Sequence, residues 1–275
     1  MGADKRLCLT VSAIFILGEN TMKQLLALLL LSSALAAWGT PATTYADGAP
    51  APDALAECKF DDGGLPNLGK LKSCLKDYHS SQYMAAVNAV EEAARKMMEE
   101  QIASNMAHGK LALVLDIDET SLSNWEQIVA DDFGYFADGP CDLPVKGPCG
   151  AAAFDQLSRA AAIKPTLDLF NFAVAHGVTV FFITGREGSD AERNATELNL
   201  WRAGYHGWKT VYMREPNGRD KGASTEAYKT GRREEIERDG YTIIANLGDQ
   251  WSDLKGGHPD QRFDFKLPNP FYYIP

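Results

Sequence analysis

Asp116-Ile117-Asp118-Glu119-Thr120 places carboxylates two residues apart directly behind the apolar run Leu111–Leu115. A carboxylate attacks an electrophile well only when it is held and partly desolvated, and a second acid nearby can move the protons that the first cannot. Two more polar clusters close apolar runs in the same way. Thr184-Gly185-Arg186 follows Val178–Ile183, and Gly248-Asp249-Gln250-Trp251-Ser252-Asp253 follows Tyr241–Leu247. If these clusters converge, Asp116, Asp118, Asp249 and Asp253 would repel one another unless a cation lay among them. An all-oxygen donor set selects a hard ion, Mg²⁺ first. Such an ion neutralises Asp116 and holds a phosphoryl oxygen, so that the carboxylate can attack phosphorus in line. Asp118 would then protonate the leaving alkoxide and later take a proton from water, two demands that place its expected pKa near the working pH. The Thr184 hydroxyl and Gly185 amide are suited to phosphoryl oxygens. A lysine completes the positive charge around a trianionic transition state. Lys229 is the first choice, at the predicted start of the helix leading to the last of these runs, with Lys221 second.

These residues do chemistry together only if the chain brings three distant segments to one edge. Leu111–Leu115, Val178–Ile183 and Tyr241–Leu247 are continuous apolar runs of strand length, as expected of strands buried on both faces in a parallel sheet. Helical stretches at Thr166–His176, Asp190–Ala203 and Thr230–Asp239 alternate with them, and Thr210–Met213 reads as a weaker strand. The alternation predicts a doubly wound α/β domain, whose ligands bind where the strands end. Before the sheet, Ser80–Ala107 has helical spacing and forms an N-terminal helical extension. The stretch from Ser121 to Lys164 fits neither period and reads as a cap inserted after the first strand.

Asp116–Thr120, Phe182–Arg186, Tyr228-Lys229-Thr230 and Gly248–Leu254 resemble the four motifs of haloacid-dehalogenase-superfamily phosphatases. The resemblance is closest to the acid phosphatase subgroup that includes bacterial exported acid phosphatases and plant vegetative storage proteins. It spans about Lys59 to Pro275, including the ending Leu267-Pro268-Asn269-Pro270. It implies a Rossmann-like core, a phosphomonoester hydrolase and a Mg²⁺ cofactor. It also implies Asp116 as nucleophile, Asp118 as acid/base, Thr184 and Lys229 as phosphate binders, and Asp249 as metal ligand with Asp253 beside it. Asp118 would offer the metal its backbone carbonyl. Phosphotransfer to an alcohol, or an idle storage or binding protein of the same fold, are the alternatives.

Within the cap, Trp125 could stack on an aromatic or nucleoside leaving group, although cap aromatics commonly pack their own small core. Gly64-Leu65-Pro66-Asn67-Leu68-Gly69-Lys70 has the spacing of a nucleotide-binding loop, but Leu71 replaces the Mg²⁺-binding hydroxyl and no strand precedes it, so it reads as an ordinary loop. The formal net charge of −10 leaves no basic footprint for a nucleic acid duplex, and a small phosphomonoester is the expected partner.

Met22-Lys23, the apolar run Leu25–Leu31 and Ala34-Leu35-Ala36 form a signal-peptide pattern with cleavage after Ala36. Residues 1–21 then lie upstream of the true start or extend the leader, 37–58 form a linker, and 59–275 the phosphatase domain with its cap at about 121–164. The apolar run is too short for a stable membrane anchor, and the expected location is periplasmic or secreted. Export favours disulfides among Cys58, Cys74, Cys141 and Cys149. Proximity pairs Cys58 with Cys74 and Cys141 with Cys149, out of three possible connectivities.

Overall fold

The computed structural model describes residues 67–104, 109–257 and 260–274. The leader, the linker and Cys58 lie outside the described residues. Asn67 opens helix α1 (Leu68–Tyr78) by accepting hydrogen bonds from the backbone N–H groups of Gly69 and Lys70. The nucleotide-loop look-alike is thus in part a capped helix start, since residues from Leu68 onward are helical. A π-helical turn, His79–Tyr83, joins α1 to helix α2 (Met84–Ser104).

Strand β1 (Lys110–Leu115) follows, and then the insert. A two-stranded antiparallel ribbon, β2 (Leu122–Ser123) with β3 (Ala161–Ala162), closes the insert at its root. Between them lie the short helices α3 (Trp125–Ala130) and α4 (Ala151–Gln156) and a disulfide between Cys141 and Cys149. Cys74 is also disulfide-bonded. The remaining elements alternate: α5 (Lys164–Ala175), β4 (Thr179–Glu187), α6 (Asp190–Ala203), β5 (Thr210–Arg214), α7 (Thr225–Arg238), β6 (Tyr241–Gly248) and β7 (Asp264–Lys266).

The five-stranded sheet has the order β5-β4-β1-β6-β7, and every pairing in it is parallel. Both faces are buried, and the strand period of two shows in how the residues divide. Leu113, Leu115, Val180 and Phe182 join a large core with α1, α2, α5 and α6. Ala112, Val114, Phe181 and Ile183 turn the other way and pack with Tyr228 and Ile236 of α7. The continuous apolar runs follow from this two-sided burial. Strand β7 was not expected: its three residues include Asp264 and Lys266, too short and too polar to read as a strand. Among the described residues no helix is long and apolar enough to cross a membrane.

Candidate active site

Parallel pairing carries the ends of β1, β4 and β6 to one edge, and the acidic clusters meet there. One carboxylate oxygen from each of Asp116, Asp249 and Asp253 lies within 4.8 Å of the other two, and all three residues are buried. The Lys229 ammonium is 2.5 Å from Asp116 Oδ1 and 2.6 Å from Asp253 Oδ1. Lys229 is not at the start of its helix. Ser224 caps α7 through the Ala227 N–H, so the helix begins at Thr225 and Lys229 projects from its second turn into the site.

Three carboxylates against one ammonium would leave two negative charges in a buried place if all were ionised, an excess that a divalent cation would balance. The pKa directions agree with that imbalance. Burial, then Asp253, Asp249 and Asp118, push Asp116 up, with Lys229 opposing. Burial and Asp253 raise Asp249 to about 6 against hydrogen bonds from Asn269 and Gln250. Burial would lower Lys229, but Asp116 and Asp253 outweigh it and hold the ammonium protonated.

The loop geometry is demanding. A Cβ at Gly248 would stand 2.2 Å from Asp253 Cβ, so only glycine lets the turn after β6 fold Asp253 back beside Asp249. Arg233, fully buried one turn beyond Lys229, donates to the backbone carbonyls of Asp253, Lys255 and Gly256 and fixes the same turn from beneath. Ser121 Oγ donates to the Asp116 carbonyl at 2.6 Å and steadies the loop after β1.

Asp118 lies beside this group but belongs to a second network. Arg186 donates from Nη2 to its Oδ1 at 2.6 Å and from Nε to its Oδ2 at 3.1 Å, and Asn124 Nδ2 donates to Oδ1 at 2.8 Å. Arg186 also pairs with Asp155 of α4 at 2.9 Å and donates to Thr196 of α6. Burial alone would raise Asp118. The Arg186 charge and these hydrogen bonds outweigh it and hold the carboxyl below its ordinary value. That departs from the expectation of a pKa matched to the working pH, which did not take Arg186 into account.

Thr184 and Gly185 were expected just past a strand end. Instead β4 runs on to Glu187, with a shift in its register against β5 between Ile183 and Glu187. Thr184 is buried and its Oγ1 accepts the Arg186 N–H at 3.1 Å. At Gly185 an added Cβ would meet nothing within 4 Å, so packing within the protein does not demand this glycine. The space beside it is suited to close approach by a ligand.

Trp125 opens α3, next to the Asn124 that holds Asp118. One of its faces stacks on His79 at 3.6 Å between centroids and 4° between planes, and Phe271 and Phe133 lie against it. The ring is therefore part of an aromatic cluster joining the π-helical turn, the cap and the C-terminal segment. Glu119, which had no assigned role, is fully buried. It accepts hydrogen bonds from Tyr83 Oη and the Asn124 N–H, and burial raises it to about 7. Sequence spacing signalled neither Arg186 nor Glu119 as a partner, because their contacts come from α4, α6 and the π-helical turn.

The amino-acid sequence matches the family described as HAD superfamily, subfamily IIIB (Acid phosphatase), over residues 69–275. It is 36% identical over 166 residues to acid phosphatase 1 of Solanum lycopersicum, covering 60% of each chain. It is 35% identical over 170 residues to the stem 28 kDa glycoprotein of Glycine max, covering 61% of each. The chain thus matches less than two thirds of the length of these curated relatives. The fold is similar to that of the class C acid phosphatase from Bacillus anthracis, with a TM-score of 0.58 at 18% identity over 75% of this chain and 86% of that one. The sequence match takes in the whole sheet and each carboxylate gathered at its edge, and on that ground the chain belongs to subfamily IIIB of the HAD superfamily, the acid phosphatase subfamily.

Proposed function

We propose that the protein is an exported, Mg²⁺-dependent acid phosphatase that hydrolyses small phosphomonoesters through a phospho-aspartate on Asp116. The observation that carries this reading is Asp116 at the end of β1, beside Lys229 and within a carboxylate group whose excess charge calls for a cation. Asp116, Asp249, Asp253 and the Asp118 backbone carbonyl would hold Mg²⁺. When bound, the ion screens the carboxylates and polarises the phosphoryl group.

The Asp116 carboxylate attacks phosphorus as the bond to the leaving oxygen breaks, and Asp118, in the minor protonated fraction that Arg186 leaves it at acid pH, gives that oxygen its proton. In the second half-reaction Asp118 takes a proton from water, which attacks the same phosphorus. Inorganic phosphate leaves and the Asp116 carboxylate is restored. The Lys229 ammonium balances charge on the equatorial oxygens, with Thr184 and Gly185 beside them. The proposed domain spans residues 59–275 behind a leader ending at Ala36 and a linker of residues 37–58, with the cap at about 121–164. Trp125 would flank the leaving group by its exposed edge. Exported proteins commonly carry disulfides, and the Cys141–Cys149 bridge supports a periplasmic or secreted location.

Asp116→Asn tests the reaction directly. With p-nitrophenyl phosphate and Mg²⁺, kcat should fall by about a thousandfold or more, and no phosphoryl-enzyme should accumulate on rapid quenching. Activity above a tenth of the parent's would rule out a covalent intermediate on Asp116.

A further inference from the structure

Two amide side chains converge on one oxygen of Asp249. Asn269 Nδ2 donates to Asp249 Oδ2 at 2.6 Å and Gln250 Nε2 donates to the same atom at 2.7 Å. Among the described residues, Asp249 Oδ1 has only a long contact, 3.4 Å, from the Thr120 hydroxyl. The orientation of both amides is set from a single place. The Phe271 and Tyr272 N–H groups donate to Asn269 Oδ1 at 2.9 and 3.4 Å, which turns the Asn269 NH₂ towards Asp249. The Ile274 N–H donates to Gln250 Oε1 at 3.2 Å and does the same for Gln250. Gln250 also gives its own N–H to Asp253 Oδ2 at 2.8 Å.

The segment is anchored well enough to act as a reference. Leu267 and Phe271 are buried, and Phe271 packs edge-on against Tyr83 and lies against Trp125. A hydrogen bond satisfied inside the protein makes Oδ2 a poor candidate for coordination, and donors on a ligand's second oxygen fix the direction of the first.

We propose that the C-terminal segment 269–274 is a clasp for the metal site: through Asn269 and Gln250 it holds Asp249 Oδ2, directs Oδ1 towards Asp116 and Asp253, and so sets the affinity for Mg²⁺. Asn269 and Gln250 are positioning residues, and their role rests on the proposed Mg²⁺ dependence.

The test is calorimetric titration of the mature, full-length protein with Mg²⁺ alone, with no substrate present. Asn269→Ser keeps a hydroxyl that can accept the turn N–H groups but cannot reach Asp249, and Gln250→Met removes the second donor at similar volume. Each should raise the Mg²⁺ Kd about tenfold. The far-UV spectrum and the melting temperature in EDTA should stay close to the parent's. Because both donors act on one oxygen, the double variant should fall short of the product of the two effects, and Asp249→Asn sets the ceiling.

Ile274→Pro removes the N–H that orients Gln250, at an exposed position, and should raise Kd a few-fold; it decides the matter if Asn269→Ser fails to fold. Variants that bind within twofold of a tightly binding parent overturn the clasp and leave the phosphatase reading intact. A parent that binds no Mg²⁺ overturns the metal reading and the clasp with it.

Discussion

On the proposed mechanism Asp118 carries the heaviest demand of any single residue, since it would both give and take a proton in one turnover. Its two oxygens are spoken for by Arg186 and Asn124, so geometry is settled before substrate arrives. A general acid matters most when the leaving group is basic. Asp118→Asn should therefore reduce kcat by about 10²–10⁴-fold with an alkyl phosphate and far less with p-nitrophenyl phosphate, whose phenolate departs unprotonated. Arg186→Gln should show the same ordering with a smaller loss, because the carboxyl remains but is no longer held. Equal losses on both substrates, in single-turnover phosphorylation, would confine Asp118 to a geometric role. The carboxylates were legible in the sequence because each closes an apolar run. Arg186 stood in plain view in Thr184-Gly185-Arg186, yet its partners Asp155 and Thr196 come from α4 and α6, and only the folded chain brings them together.

At the scale of elements, the sheet was readable for the same reason that it is buried: strands covered on both faces have no polar alternation to obscure them. Helix starts were harder. The predicted start at Thr230 missed the Ser224 cap, which begins α7 earlier and so places Lys229 and Arg233 on one buried face. The contact of α2 with α5 has a titratable group at its centre, Glu91, which is buried and bonded to Thr166 Oγ1 at 2.6 Å. Thr166 Oγ1 also lies 2.6 Å from the Thr120 carbonyl, which can only accept, so the single hydroxyl proton goes there. Glu91 must then be the donor to Thr166, and it is protonated; burial raises its pKa to about 8. An acid raised from 4.5 to about 8 holds a proton in the fold that the unfolded chain has released. Stability should therefore be unaffected by Glu91 below pH 4.5 and decline as pH rises from 4.5 through 8. Glu91→Gln keeps a donor for Thr166 and should flatten this part of the profile, leaving the variant more stable than the parent at pH 8 in denaturant melts. A parent and variant with parallel profiles would place the proton elsewhere.

At the scale of the whole molecule, the parallel sheet concentrates negative charge at the edge where its strands end, in a chain whose formal net charge is already −10. Natural folds keep such groupings where function requires them and offset the cost elsewhere. Here Lys229 supplies part of the compensation from α7, Arg233 stiffens the turn that carries Asp253, and Asn269 and Gln250 take up the second oxygen of Asp249. On the proposed reading the remainder comes from Mg²⁺, and the balance should be visible in thermal unfolding without any assay of catalysis. A ligand present at a hundred times its Kd stabilises the folded state by about 2.7 kcal/mol. For a domain of this size each kcal/mol is worth about 2–4 °C, so saturating Mg²⁺ should raise the melting temperature by roughly 5–10 °C over EDTA. Sodium chloride at the same ionic strength should not reproduce the rise, because a screening atmosphere does not reach a buried group of carboxylates. Asp249→Asn should melt at the same temperature in Mg²⁺ and in EDTA, and in EDTA it should be no less stable than the parent, since it removes one of the repelling charges. If the parent melts identically in Mg²⁺ and EDTA, the carboxylates are held together by protons and Lys229 alone, and the cation has no place in the folded site.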